Sequence, residues 1–167
     1  MKTMKNVCSA FCILIGLVGC GEEKSSNKST NTSTKTSTES LIESNLALWK
    51  SSDIKNYMFT YDASLNDCPQ ADPALSRVIT VENSVVVSVY VPDRGVTIDV
   101  GNYPTIDGVF SLMADAAASN TMVFSRNPRD TDSPPEFNQQ YGFPVAFFID
   151  LSEGECDGTV YSIKGFQ

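Results

Sequence analysis

The side chains of this chain that could do chemistry are thiols and carboxylates: it carries five cysteines, 20 acidic residues against 12 basic ones, and no histidine. Without imidazole the commonest general base is missing, and with it the Ser-His-Asp and Cys-His nucleophile arrangements. Asp130 with Asp132 and Glu153 with Glu155 are the acid pairs left for proton transfer. A carboxylate-dependent hydrolase acting on cell-wall glycans would need two such groups converging at about 5–10 Å, and both pairs sit in loop-like stretches where charges are ordinarily solvated. Asp150, Ser152, Glu153, Glu155 and Asp157, with Gly154 and Gly158, crowd oxygen ligands into one turn. A calcium-responsive module is the chemistry that would follow, but the spacing lacks the EF-hand loop and its terminal bidentate Glu, so a solvated turn and no metal are expected. Glycine-rich phosphate cradles are absent too. No catalytic residue and no cofactor is assigned, and the inventory points away from an enzyme.

One thiol has a more specific setting. Lys2 and Lys5 precede an apolar run from Val7 to Val18 that is too short to span a bilayer, which is the layout of a secretory leader. It ends in Leu17-Val18-Gly19-Cys20, which resembles the lipobox of bacterial lipoproteins. That resemblance implies that residues 1–19 are a signal peptide and that Cys20 becomes the lipid-modified N-terminus, carrying diacylglyceryl and palmitate-type acyl chains. Several chains on one residue anchor stably, at about 0.8 kcal/mol per buried methylene. Cys8 and Cys12 lie inside the apolar run and would leave with it. Gly21 stands where an inner-membrane retention signal would place Asp, so the outer membrane is expected over the inner. Export also puts Cys68 and Cys156 where paired thiols oxidise, and a disulfide between them is expected.

Residues 20–40 read as a disordered tether after the acylated cysteine: eleven of the twenty residues from Gly21 to Ser40 are Ser or Thr, and none is aliphatic or aromatic. A flexible chain of that length spans on the order of 25 Å. The net charge is −8, and loss of Lys2 and Lys5 with a leader leaves 10 basic against 20 acidic side chains. Such a balance excludes nucleic acid, which needs clustered Lys and Arg to neutralise phosphates. It also disfavours direct docking on anionic headgroups, so membrane attachment rests on the lipid at Cys20.

Residues 41–167 are long enough for one domain with a core. Ser40 to Glu43 resembles a capping box, and Ile42, Leu46 and Trp49 recur at helical spacing, predicting a helix over 41–51. Tyr57, Phe59 and Tyr61 alternate with polar neighbours, as in a strand. Two more strands are expected at Arg77–Glu82 and Ser84–Pro92, with Val85, Val87, Val89 and Val91 on one face and Asn83-Ser84 as a tight hairpin turn. Thr105 reads as the N-cap of a second helix whose stripe is Ile106, Val109, Phe110, Met113 and Ala117. Thr121–Ser125, Phe143–Leu151 and Thr159–Phe166 are the later strands, with 127–138 a proline-rich loop. The order α-β-β-β-α-β-β-β predicts an α+β fold, two helices packed on one face of a mostly antiparallel sheet of about six strands.

Within this pattern, Tyr141-Gly142-Phe143-Pro144 places aromatic faces beside a glycine, which suits a ligand groove. A structural reading competes: Gly142 permits a backbone kink and Pro144 sits at a strand edge. Asn56-Tyr57-x-Phe59-Thr60 followed by Cys68, the Thr105-Ile106-Asp107-Gly108-Val109-Phe110 helix start, Tyr141-Gly142-Phe143-Pro144, and Ile149-Asp150 before a last strand with Tyr161 together resemble the bacterial lipoprotein domain of unknown function 6174 over residues 45–167. Many members carry a Cys-x-Cys pair after the first strand, where this chain has Cys68 alone, with Cys156 far downstream. The family implies no activity. The expectation is a lipid-anchored lipoprotein of the bacterial envelope, on its periplasmic side, that acts as a binding or protein-interaction module, with envelope proteins as its partners.

Overall fold

A computed structural model of the chain describes residues 37–66, 68, 74–119, 133–150 and 156–167, together with the backbone of 123–125. The first helix, α1, spans Ser37–Ser51. It begins inside the stretch read as tether, so the boundary at residue 40 is corrected: 37–40 are helical, and Ser40 to Glu43 lie within the helix rather than at its start. A helix already nucleated by packing extends at little cost, and Glu39 in the first turn complements the positive end of the helix dipole. Ile42 and Trp49 are buried, with Leu46 packed against the same core. The leader, Cys20 and the rest of the tether lie outside the described residues.

Strands β1 (Tyr57–Leu65), β2 (Arg77–Glu82), β3 (Val85–Val91) and β4 (Val96–Ile98) follow, then α2 (Ile106–Ala118) and strands β5 (Val123–Ser125), β6 (Glu136–Phe137), β7 (Pro144–Asp150) and β8 (Thr159–Lys164). The α+β class is as the pattern predicts, but among the described residues eight strands replace about six. β4 and β6 are the additions: three and two residues are too short to display a two-residue period, and β6 sits at the end of the stretch expected to be loop. The spatial order is β4-β3-β2-β1-β8-β7-β5, with β6 also on β7. Every pairing is antiparallel. β8 lies between β1 and β7, so the last strand in sequence is an interior strand of the sheet.

One face of the sheet carries the core. Tyr57, Phe59, Tyr61, Ile79, Val81, Val89, Phe147, Ile149 and Ile163 pack with Ile42 and Trp49 of α1 and Ile106, Val109, Phe110 and Met113 of α2. Each fully buried large side chain contributes about 1.5–3 kcal/mol relative to exposure. In the α2 stripe Ala116 is the buried alanine and Ala117 is only half-buried. Thr105 caps α2, its hydroxyl accepting from Gly108 N at 3.1 Å. The Tyr57 hydroxyl accepts from Ile106 N at 3.0 Å, so a strand residue satisfies a helix-start donor that has no partner inside the helix.

Asn83 and Ser84 both take positive φ, 50° and 65°, as a two-residue hairpin turn requires. The prediction for the strand beyond it fails at two positions. Val85 and Val87 are 61% and 46% exposed, while Val86 is half-buried and pairs with Val81. The register shifts between Thr80 and Val81, leaving Val87 as an extra residue on β3, and such a bulge breaks the alternation of faces. Pro144 also departs from expectation. β7 is flanked on both sides, and Pro144 is its first residue and buried rather than at a sheet edge. A strand's first position tolerates the missing N–H.

A disulfide joins Cys68, after β1, to Cys156, before β8, across a separation of 88 residues. Closing a loop of that length removes about 4–5 kcal/mol of unfolded-chain entropy on the loop-closure model.

Candidate functional site

At the end of the sheet where β7 begins and β8 finishes, the chain closes a tight loop through Asn138. Its Oδ1 accepts from Gln140 N at 3.0 Å and Tyr141 N at 2.8 Å. Its backbone N donates to Phe143 O and its carbonyl accepts from Gly142 N, both at 2.8 Å. One Asn side chain of this kind substitutes for several backbone partners and fixes a turn. Gly142 has φ +80°, and a Cβ there would clash with the Asn45 carbonyl oxygen of α1 and lie 3.0 Å from Leu48 Cβ and 3.2 Å from Trp49 N. The glycine therefore lets β7 start flush against the helix.

That close approach builds an aromatic cluster. Phe143 stacks on Phe166 with ring centroids 4.5 Å apart, Tyr141 lies 5.8 Å from the same ring, and Trp49 meets it edge-on at 5.8 Å. Tyr57 stacks on its other flank at 5.6 Å. The tail that carries Phe166 is held by reciprocal backbone bonds between Met58 and Gln167 of 2.9 and 3.1 Å. An open groove of about 550 Å³ runs beside this cluster, lined by Tyr141, Phe143, Val145, Ile163 and Phe166, with Asn138, Gln140 and Lys164 among its polar residues. Its size falls in the usual range for ligand pockets, about 300–1,000 Å³.

Of the four residues singled out in Tyr141-Gly142-Phe143-Pro144, Tyr141 and Phe143 line the groove. Gly142 packs against α1, and Pro144 is buried at the start of β7. Tyr141 and Phe143 thus lie at the groove, Gly142 serves the close approach to α1, and Pro144 is not at a sheet edge. Gln140, Lys164 and Phe166 were not singled out, and the signal that could have found Phe166 was its place at the end of the last alternating strand.

A polar hub around Asp62, which shares Lys164 with the groove, was also missed. Asp62 Oδ1 accepts from Ser76 Oγ at 2.6 Å, and Oδ2 accepts from Ser162 Oγ and Lys164 Nζ at 3.0 Å each. Partial burial pushes this carboxyl's pKa up, but the hydrogen bonds from Ser76, Lys164 and Ser162, with the charge of Lys164, outweigh it and hold the pKa below the ordinary value. Burial raises the pKa of Tyr61 strongly, and those of Tyr57 and Tyr161 as well, so these phenols are neutral at physiological pH. Asp130, Asp132, Ser152, Glu153, Gly154 and Glu155 lie outside the described residues, as does most of the expected calcium turn. Among the described residues, no group of three or more His, Cys, Asp or Glu side chains is placed to hold a metal ion. No helix of the described residues is long and apolar enough to cross a membrane.

The fold and groove define a disulfide-bonded α+β domain, a helical pair over an antiparallel sheet with an aromatic cleft at one end. The chain belongs to the family of unknown function DUF6174, whose pattern it matches over residues 41–167. No curated protein matches it.

Proposed function

We propose that this protein is a lipid-anchored lipoprotein of the bacterial envelope, attached through Cys20 and preferentially in the outer membrane, whose domain is a binding or protein-interaction module. The single observation that carries the binding role is the groove beside Tyr141, Phe143 and Phe166. Aromatic rings and aliphatic side chains supply its apolar surface, and exposed Gln140 supplies hydrogen-bonding groups at the rim. Envelope proteins are the ligands of choice, because a domain this acidic repels phosphate-bearing partners. The Cys68–Cys156 disulfide supports export, since such bonds persist in oxidising compartments.

Two measurements test the two halves of this reading. Cys20→Ser blocks acylation and should shift the protein from the membrane fraction to the soluble one; retention in the membrane would refute the anchor. A photo-crosslinking side chain at Gln140 in living cells should give a discrete protein adduct, lost when Phe166 is changed to Ala. Crosslinking only to solvent, or an adduct indifferent to Phe166, would refute the groove as the binding site.

A further inference from the structure

β4 is shorter than the strand it pairs with. Its three residues cover Val89, Tyr90 and Val91 of β3, and the chain then turns away at Asp99. Of the first four residues of β3, Val85, Val86 and Ser88 pair on their inner side with β2, and Val87 is the extra residue of the bulge. Among the described residues no strand lies along their outer side. A strand with one free side presents alternate backbone N–H and C=O groups outward, and the chemistry that satisfies such a row is another extended backbone.

The side chains around this slot suit the same occupant. β3 reads Val-Val-Val-Ser-Val-Tyr-Val, with no charge and no proline to discourage pairing. Val85, Val87, Tyr90 and Val96 are four of the six large hydrophobic side chains that the described surface exposes, and all lie on β3 or β4. The hairpin tip is fixed beside them: Asn83 N donates to Asn56 Oδ1 at 2.8 Å, and Ser84 N to Lys55 O at 2.9 Å. Exposed Glu82, the cross-strand partner of Val85, and exposed Asp99, which follows the residue paired with Val89, lie at the two ends of the slot, while Lys55 is paired with Asp53 at 3.2 Å. This acidic excess favours a basic segment over a second copy of a chain whose own net charge is −8.

We propose that the outer side of Val85–Ser88 takes up, as an added strand in line with β4, an extended segment of another protein that alternates apolar and basic residues. The proposal rests on reading the domain as an interaction module, but it uses a surface separate from the groove. The test is titration of the full chain, purified in detergent, with a fluorescent peptide alternating valine and lysine. Saturable binding is expected, with slowed amide exchange at Val85–Ser88. N-methylation of alternate peptide bonds should abolish it, and Val87→Lys, at an exposed side chain, should weaken it about tenfold while leaving the melting temperature unchanged. Absence of binding, indifference to N-methylation, or self-association through β3 that the peptide does not displace would each overturn the proposal. Failure here with an intact Gln140 crosslink would refute the strand slot alone; loss of the crosslink with peptide binding intact would refute the groove alone.

Discussion

Gly142→Ala should be among the most damaging small substitutions in this domain, and its cost can be divided. Two penalties act at the site. The residue sits at φ +80°, where a side chain costs about 1–2 kcal/mol. The added methyl also meets the backbone of α1 at Asn45 and Trp49 and the Cβ of Leu48, none of which is the mobile end of a side chain. Forcing α1 outward is overpacking, which costs about 1–3 kcal/mol. The sum is about 2–5 kcal/mol, a large part of the stability of an ordinary domain. Gly95 provides the control, because it has φ +63° and nothing within 4 Å of its built Cβ. Gly95→Ala should therefore pay for the backbone alone. Urea unfolding followed by tryptophan fluorescence suits the comparison, since Trp49 lies at the contact; with a slope of about 2 kcal/mol per molar, Gly142→Ala should lower the midpoint by about 1–2.5 M relative to wild type. If it costs no more than Gly95→Ala, the close packing of the turn before β7 against α1 is not what demands glycine there, and the account of the groove's construction fails.

Tyr57→Phe removes the acceptor for Ile106 N inside the core, and should destabilise the domain by about 1–3 kcal/mol with little change in the groove, read by urea unfolding and by amide exchange at Ile106. Acid unfolding should depend on Asp62. Its pKa is lowered in the folded state, so its contribution is present above the ordinary value of 3.8 and is lost as pH falls through the lower folded value. Asp62→Asn should flatten stability against pH between 3.8 and that lower value, and an unchanged acid limb would remove the hub from the account. The alkaline side has the opposite sign: Tyr57, Tyr61 and Tyr161 are raised, so the stability they confer is complete below pH 10 and declines above it as the unfolded phenols ionise.

Much of the architecture was legible because burial leaves a period in the chain. The Ile106, Val109, Phe110 and Met113 stripe and the Tyr57, Phe59 and Tyr61 alternation each report a local face, and both faces meet in one core. The Asn83-Ser84 turn was legible for a local reason too, since asparagine accepts positive φ more readily than most residues and both asparagine and serine are common in turns. The bulge at Val87 was not, because it depends on how β3 slides against β2 rather than on β3 itself. β4 and β6 were too short to leave a period, and the Asp62 hub joins residues 100 and 102 positions apart.

The candidate site divides in the same way. Tyr141, Gly142 and Phe143 stood out as a motif, but spacing alone could not say that Gly142 meets α1 or that the tail residue Phe166 completes the cleft. Residue types and spacing determined which segments are helices and strands, which side of most of them is apolar, the acidic character of the chain, and which two thiols of the domain could pair. Only the tertiary structure decided that β8 inserts between β1 and β7, bringing Phe166 against Tyr57 and Phe143, and that β4 stops short beside β3. The physical reason is range. A helix or strand face is encoded by neighbours a few residues apart, whereas strand order and register follow from the burial of every element at once.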